Sequence, residues 1–252
     1  MNSAGLDPVV LLPALAAGLL VLASHVPLGM AVLERGIVFL DLAIAQFAGL
    51  GVVLVNAYLD GAPATWQIQA GAVAAAALGA LFLRTMEKRL PHRQEAVIGV
   101  AFVVAACAAL VLMSHDPHGA EHLQDMLVGQ ILWSTWSGLV PLALVTALVL
   151  AAWFGLRLGR TALGFYLLFA LTVTASVQVV GIYLVFASLI VPALAAGRRL
   201  WLGYLLGAVG YAGGLAASGL FDLPSGAAVV LALAATSGVV GLLRQRRPDV
   251  VN

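Results

Sequence analysis

Charge is scarce in this sequence of 252 residues, and cysteine is nearly missing. Asp, Glu, Lys and Arg together make up 9% of the chain, and Cys107 stands alone inside an apolar run. A single cysteine excludes a disulfide framework and any Cys-based zinc finger; the plain reading of Cys107 is a small packing residue. No G-x-x-x-x-G-K-[ST] phosphate loop occurs, so the sequence gives no sign of such a nucleotide site, and no H-E-x-x-H occurs, so it gives no sign of an intramembrane metalloprotease or other enzyme. A formal net charge of +1 gives no reason to expect a nucleic-acid partner. The first 34 residues contain no Lys or Arg. They lack the basic n-region of a cleaved signal peptide and read as a retained first helix.

What the sequence has in abundance is apolar length: 63% of residues are hydrophobic and the mean hydropathy is +1.07. A soluble globular domain is excluded. Closed β-barrels show short alternating segments instead of long apolar runs, so the fold class is all-α, a polytopic membrane protein. The twelve basic residues fall into five clusters, at Arg35, Arg84 to Arg93, Arg157 to Arg160, Arg198 and Arg199, and Arg244 to Arg247. Basic loops stay on the cytoplasmic side, so each cluster marks a return to the cytoplasm. A crossing takes about 20 helical residues, which leaves one crossing before Arg35 and two in each later interval. Nine spans follow, with eight as the lower count: 9–33, 36–59, 66–84, 95–114, 127–155, 161–178, 180–197, 201–219 and 223–243. The amino terminus is expected outside and the carboxyl terminus in the cytoplasm, with residues 1–252 forming one transmembrane domain in the lipid bilayer. The external side then receives Asp7, Asp60, Asp116, Glu121, Asp125 and Asp222 and no basic residue.

Pro13, Pro27, Pro141 and Pro192 lie in or at the ends of apolar stretches, where they remove backbone donors and favour kinks. Glycines such as Gly203, Gly207 and Gly210 let helices approach closely. Spans 161–178 and 180–197 leave room only for a tight external turn near Gln178 to Gly181. The inward end of that pair, LIVPALAAGRRL, predicts either an ordinary helix end or a short surface helix that starts at Pro192, finishes at Arg198 and Arg199, and docks on a cytoplasmic partner.

Several segments resemble a known family. ERGIVFLDLAIAQFAGLGVV, residues 34–53, is similar to the arginine-flanked second helix of the permease subunits of ABC importers for zinc and manganese. LTVTASVQVVGIYLVFASLIVPALAAGRR, 171–199, resembles that family's run of a valine-rich helix and Gly ahead of a Pro-Ala stretch. FDLPSGAAVVLALA, 221–234, resembles its start of the last helix, and EHLQDMLVGQILW, 121–133, also fits. The resemblance implies a type II ABC importer permease in the bacterial inner membrane. It implies a homodimer that works with two cytoplasmic ATPase subunits and an external metal-binding protein, carries a divalent metal, zinc first, and holds no permanent cofactor. It also implies that Pro192, Ala193, Ala195, Arg198 and Arg199 belong to a coupling helix seated in a groove of the ATPase.

An intramembrane carboxylate is a functional candidate by default. Counted inward from Arg35, Asp41 lies about 9 Å and Gln46 about 16 Å into the membrane. The family places an Asp and a His four apart on this helix; here Asp41 and Gln46 are five apart, roughly 140° around a helix. Gln is a poor zinc ligand beside imidazole, although a weak site suits conduction, which requires release. His25, ten residues before Arg35, is expected about 15 Å deep and level with Gln46, so it can supply the missing imidazole. The plainer readings are an interhelical hydrogen bond for Gln46, a pairing of Asp41 with Arg35 or a backbone donor, and a packing role for His25 beside the Pro27 kink.

A second cluster lies in SHDPHGAEHLQD, residues 114–125, where His115, His118, Glu121, His122 and Asp125 offer imidazole and carboxylate. A helix beginning near His118 groups His118 with His122 and Glu121 with Asp125 on adjoining faces, as a reception site for metal or as a solvated polar loop. Gln130 and Gln178 are expected to bridge helices, Asn56 to line a cavity, and Asp222 to cap the last helix. The alternative function is a secondary transporter of a small solute driven by an ion gradient, with Asp41 and His25 as a proton relay; no inverted repeat is evident in the nine spans.

Overall fold

The computed structural model describes residues 7–59, 63–113 and 129–245. Within them the long apolar runs are nine helices: α1 (Pro8–Arg35), α2 (Leu40–Tyr58), α3 (Thr65–Arg89), α4 (Gln94–Met113), α5 (Trp136–Leu150), α6 (Ala162–Val180), α7 (Ile182–Ala196), α8 (Leu200–Phe221) and α9 (Ser225–Gln245). Eight of them, counting α5 with the π turn Ala151–Gly155 that extends it, are long and apolar enough to cross a bilayer. The exception is α7, whose 15 residues rise only about 22 Å.

Capping chemistry sets several boundaries. Asp7 accepts a hydrogen bond from the Val9 N–H at 2.9 Å ahead of Pro8, and Gly36, at φ 69°, closes α1 in the left-handed conformation. Gln67 reaches back to the Ala64 N–H at 2.8 Å to start α3, and Thr161 accepts from the Gly164 N–H at 3.0 Å to start α6. The span expected from residue 127 starts later. Gly129 is at φ 71°, Ile131–Trp133 is a single 3-10 turn, and Thr135, extended, caps α5 through the Gly138 N–H. Apolar letters continue through this stretch, but its backbone does not.

The basic clusters converge. Arg35, ending α1, lies over Phe165 in the first turn of α6 and donates to the Gly159 carbonyl. Gln94, opening α4, donates to the Tyr166 hydroxyl at 2.7 Å, and Glu95 accepts from the Phe39 N–H at 3.3 Å. At the end of α7, Ala196 packs with Leu202 and Leu206, joined by Met30 of α1 and Val240 of α9. The end of α1, the α3–α4 turn, the start of α6, the α7–α8 turn and the end of α9 therefore share one end of the bundle. The four clusters from Arg35 to Arg199 belong to that end, as the one-sided charge pattern predicts, and the chain reaches the same end where α9 leads into the last cluster.

Because α6 begins and α7 finishes at this end, the chain reverses between them, and the reversal occupies one residue. Gly181 has φ 79° and ψ 164°, and Gly197, after α7, has φ 59° and ψ −119°. Both conformations are essentially restricted to glycine. Packing around α7 is close: α1 and α9 are its main neighbours, and Gly29 of α1 sits against the Leu189 carbonyl and Ala193. Glycines of α8 continue the pattern, with Gly203 facing Val26, Gly207 facing Leu22, and Gly210 and Gly214 facing Leu233 and Val229 of α9. Such small-residue faces bring helices together where lipid offers no hydrophobic drive. By contrast α4, α5 and α9 present Val104, Leu110, Leu144, Leu148, Leu231 and Leu242 outward, as suits a lipid-facing surface.

Candidate ion path and coupling face

Asp41 is the second residue of α2 and is buried, with 1% of its surface exposed. Gly36 to Phe39 form a turn and do not continue the helix, so Asp41 sits one residue into α2, shallower than a count from Arg35 implies. Its position in the first turn sets a carboxylate beside the positive end of the helix dipole. Among the described residues no side chain satisfies either carboxylate oxygen, and only the backbone N–H groups of Asp41 and Leu42 at the start of the helix act on it. Arg35 is engaged elsewhere, with its guanidinium carbon 4.0 Å from the Phe165 ring centroid. The expected Asp41–Arg35 pairing is therefore not formed.

Gln46 is also buried, further along α2. His25 is fully buried on α1, where Nδ1 lies 2.8 Å from the Val21 carbonyl and 3.3 Å from Ser24 Oγ. A carbonyl only accepts, so Nδ1 donates, and in the neutral ring Nε2 carries the lone pair. Nε2 is buried without a hydrogen-bond partner among the described residues. The structure does not bring His25 to Gln46. Helical periodicity puts His25 on the stripe of Gly18, Leu22 and Gly29, which faces Tyr211, Gly207 and the Leu189–Ala193 turn. Nearby, Ser188 and Tyr211 hydroxyls lie 2.8 Å apart. While α1 packs mainly on α5 to α8, α2 packs on α3, α4 and α6. Among the described residues no group of three or more His, Cys, Asp or Glu is placed to hold a metal ion.

At the end opposite the arginines, a cavity of about 350 Å³ lies between α2, α3 and α6, lined by Ala48, Gly49, Val52, Ile68, Gln130 and Gln178 among others. A neighbouring cavity of about 250 Å³ shares Gln130 and Gln178. Gln178 accepts a hydrogen bond from the Gln69 amide and so bridges α6 to α3. Asn56, expected to line a cavity, is exposed and borders neither. His115, His118, Glu121, His122 and Asp125 lie outside the described residues.

No separate surface helix begins at Pro192. Pro192, Ala193 and Ala196 are buried in the last turns of α7 and Ala195 is half-buried, while Leu194, Arg198 and Arg199 are exposed. Those turns are held by the contacts of Gly29 and Gly203, which leave the Pro-Ala stretch facing protein. From the other half of α7, Phe186 stacks on Phe39 at 6.4 Å and an interplanar angle of 9°. Phe39 stands two residues before Asp41, so the helix that ends at the arginine turn touches the start of the helix bearing the carboxylate. Sequence reasoning missed this contact, because two phenylalanines 147 positions apart carry no local signal.

The model of the ABC 3 transport family matches residues 8–157 and 149–243. Among solved structures, the chain is similar to PsaBC from Streptococcus pneumoniae in complex with Fab, with 22% identity, 95% of each chain covered and a TM-score of 0.69. It is also similar to a structure described as an inward-facing metal-chelate type ABC transporter, with 13% identity, 94% of this chain and 78% of that chain covered, and a TM-score of 0.56. These two likenesses concern the fold. With the family model spanning nearly all of a multi-pass helical bundle, the chain belongs to the ABC 3 transport family, the permeases of metal-type ABC transporters.

Proposed function

We propose that this permease forms, as a homodimer in the bacterial inner membrane, the path of an ATP-driven importer for a divalent metal ion, zinc first. Its amino terminus lies outside and its carboxyl terminus in the cytoplasm. Separate cytoplasmic ATPase subunits drive it and an external metal-binding protein supplies the ion. The observation that carries this reading is Asp41, a buried carboxylate at the start of a transmembrane helix, with neither oxygen partnered by a side chain among the described residues. A bare carboxylate at that depth is costly unless a cation visits it. Gln46 continues the path along α2, and His25 offers an unpartnered Nε2 from α1. In this reading they form successive weak stations, as conduction requires. His115, His118, Glu121, His122 and Asp125 receive the ion outside.

On the cytoplasmic side Arg198 and Arg199 contact the ATPase, while Pro192, Ala193 and Ala195 stiffen the end of α7 that carries them. The Phe186–Phe39 stack supports a route by which movement of that turn reaches Asp41. The test is uptake of radioactive zinc and manganese into vesicles holding this chain, its ATPase and its binding protein, with and without ATP. Zinc uptake that requires ATP is the expected result. Uptake without ATP or partners overturns the reading in favour of a gradient-driven carrier, and manganese uptake in place of zinc overturns the choice of metal.

A further inference from the structure

A third cavity, of about 470 Å³, opens at the arginine end and has no part in the ion path. Its walls include Glu34 and Arg35 from the last turn of α1 and Trp153, Phe154, Arg157 and Arg160 from the segment joining α5 to α6. Three guanidinium groups against one carboxylate leave an excess of two positive charges around it. Arg35 is fixed by its stack on Phe165 and its hydrogen bond to the Gly159 carbonyl, whereas Arg157 and Arg160 are exposed at the mouth.

Backbone irregularity builds this cavity. The Leu156 N–H donates to the Ala151 carbonyl at 3.1 Å, which widens the end of α5 into a π turn. Arg157 then takes φ 54° and ψ 28°, a left-handed conformation uncommon outside glycine. Single π turns and strained residues gather at functional sites, and here both serve to aim Arg157 and Arg160 back towards Arg35. The rim is apolar: Phe154 and Leu156 are exposed by 53% and 72%, and Leu144 and Leu148, also exposed, lead towards it one turn apart along α5.

Guanidinium groups that match phosphate oxygens, beside an apolar track that runs into the bilayer, suit a ligand with an anionic head and a hydrocarbon tail. We infer that this cavity binds the phosphate headgroup of an anionic phospholipid, with Arg157 and Arg160 as its ligands, Arg35 as its fixed floor, and an acyl chain laid along Phe154, Leu148 and Leu144.

The test titrates the full chain, in neutral detergent, with phosphatidylglycerol, phosphatidylcholine and inorganic phosphate, and follows retained lipid by native mass spectrometry. Phosphatidylglycerol should be retained and phosphatidylcholine lost. Arg157→Gln with Arg160→Gln should weaken retention about thirtyfold, the effect of two arginines acting at a membrane surface. Lys88→Gln with Arg89→Gln, in another basic turn, should leave it within about twofold if the attraction is local. Arg157→Lys with Arg160→Lys keeps the charge without the guanidinium fork and should retain more binding than the glutamine pair but less than the parent, which guards against a misfolded glutamine pair. Equal losses in the two glutamine pairs, equal retention of phosphatidylcholine, or displacement of lipid by inorganic phosphate would each overturn the assignment, the last in favour of a free phosphate site.

Discussion

At Asp41 a carboxylate is held inside the protein with no side-chain donor among the described residues, which sets a sharp contrast between stability and transport. Asp41→Asn keeps the shape and removes the charge. Its thermal midpoint should match or exceed that of the parent, because a buried ionisable group is a liability that an amide of the same shape avoids. ATP-dependent zinc uptake should fall by about tenfold or more, roughly 1.4 kcal/mol. A lower midpoint with normal uptake would give Asp41 a structural role instead. Phe186→Ala probes the neighbouring link. Loss of an aromatic pair costs about 0.5–1.5 kcal/mol, so ATP hydrolysis should continue while uptake per ATP drops several-fold, measured by assaying both in one vesicle preparation. Asp41 was legible as a candidate from the sequence, since any acid in an apolar run stands out. Its depth was not, because the turn at Gly36 to Phe39 consumes four residues that a count along a continuous helix adds to the depth.

Among the elements, α8 shows how much of the packing rests on the absence of a side chain. A methyl group on Gly214 would collide with the Val229 backbone, which cannot move aside, whereas Gly213 next to it has open space. Gly214→Ala should destabilise by about 1–3 kcal/mol, while Gly213→Ala should be neutral or stabilise by up to about 1 kcal/mol through helix propensity; thermal unfolding in detergent compares the two. Helix existence was written plainly in the sequence, because basic clusters and apolar length mark where the chain crosses and returns. The start of α5 was hidden by apolar letters that run on through Gly129 to Thr135. His25 and Gln46 looked like partners because they were counted to one level, but which helices pack together is decided by faces distant in sequence. Gly18, Gly29, Gly203 and Gly207 hold α1 against α7 and α8 and turn His25 that way.

Over the whole molecule, the lone thiol is a natural reporter of what surrounds the bundle. Cys107 is exposed on α4, among outward-facing Val103, Val104 and Leu110. Because maleimides add to the thiolate, which hydrocarbon suppresses, a charged, membrane-impermeant maleimide should leave it unlabelled in intact vesicles and label it once the protein is unfolded in detergent. Labelling by the charged reagent would mean that this face of α4 borders water and lines a path. The gathering of the described basic clusters at one end also bears on how the protein is made. In the proposed orientation, insertion leaves all twelve cations on the side of synthesis and carries across only Asp7, Asp60, Asp116, Glu121, Asp125 and Asp222. A membrane potential negative inside favours outward passage of each such anion by roughly 2.3 kcal/mol per 100 mV. The energised membrane thus helps to thread the chain in the direction in which it will work, and a de-energised one should slow its assembly.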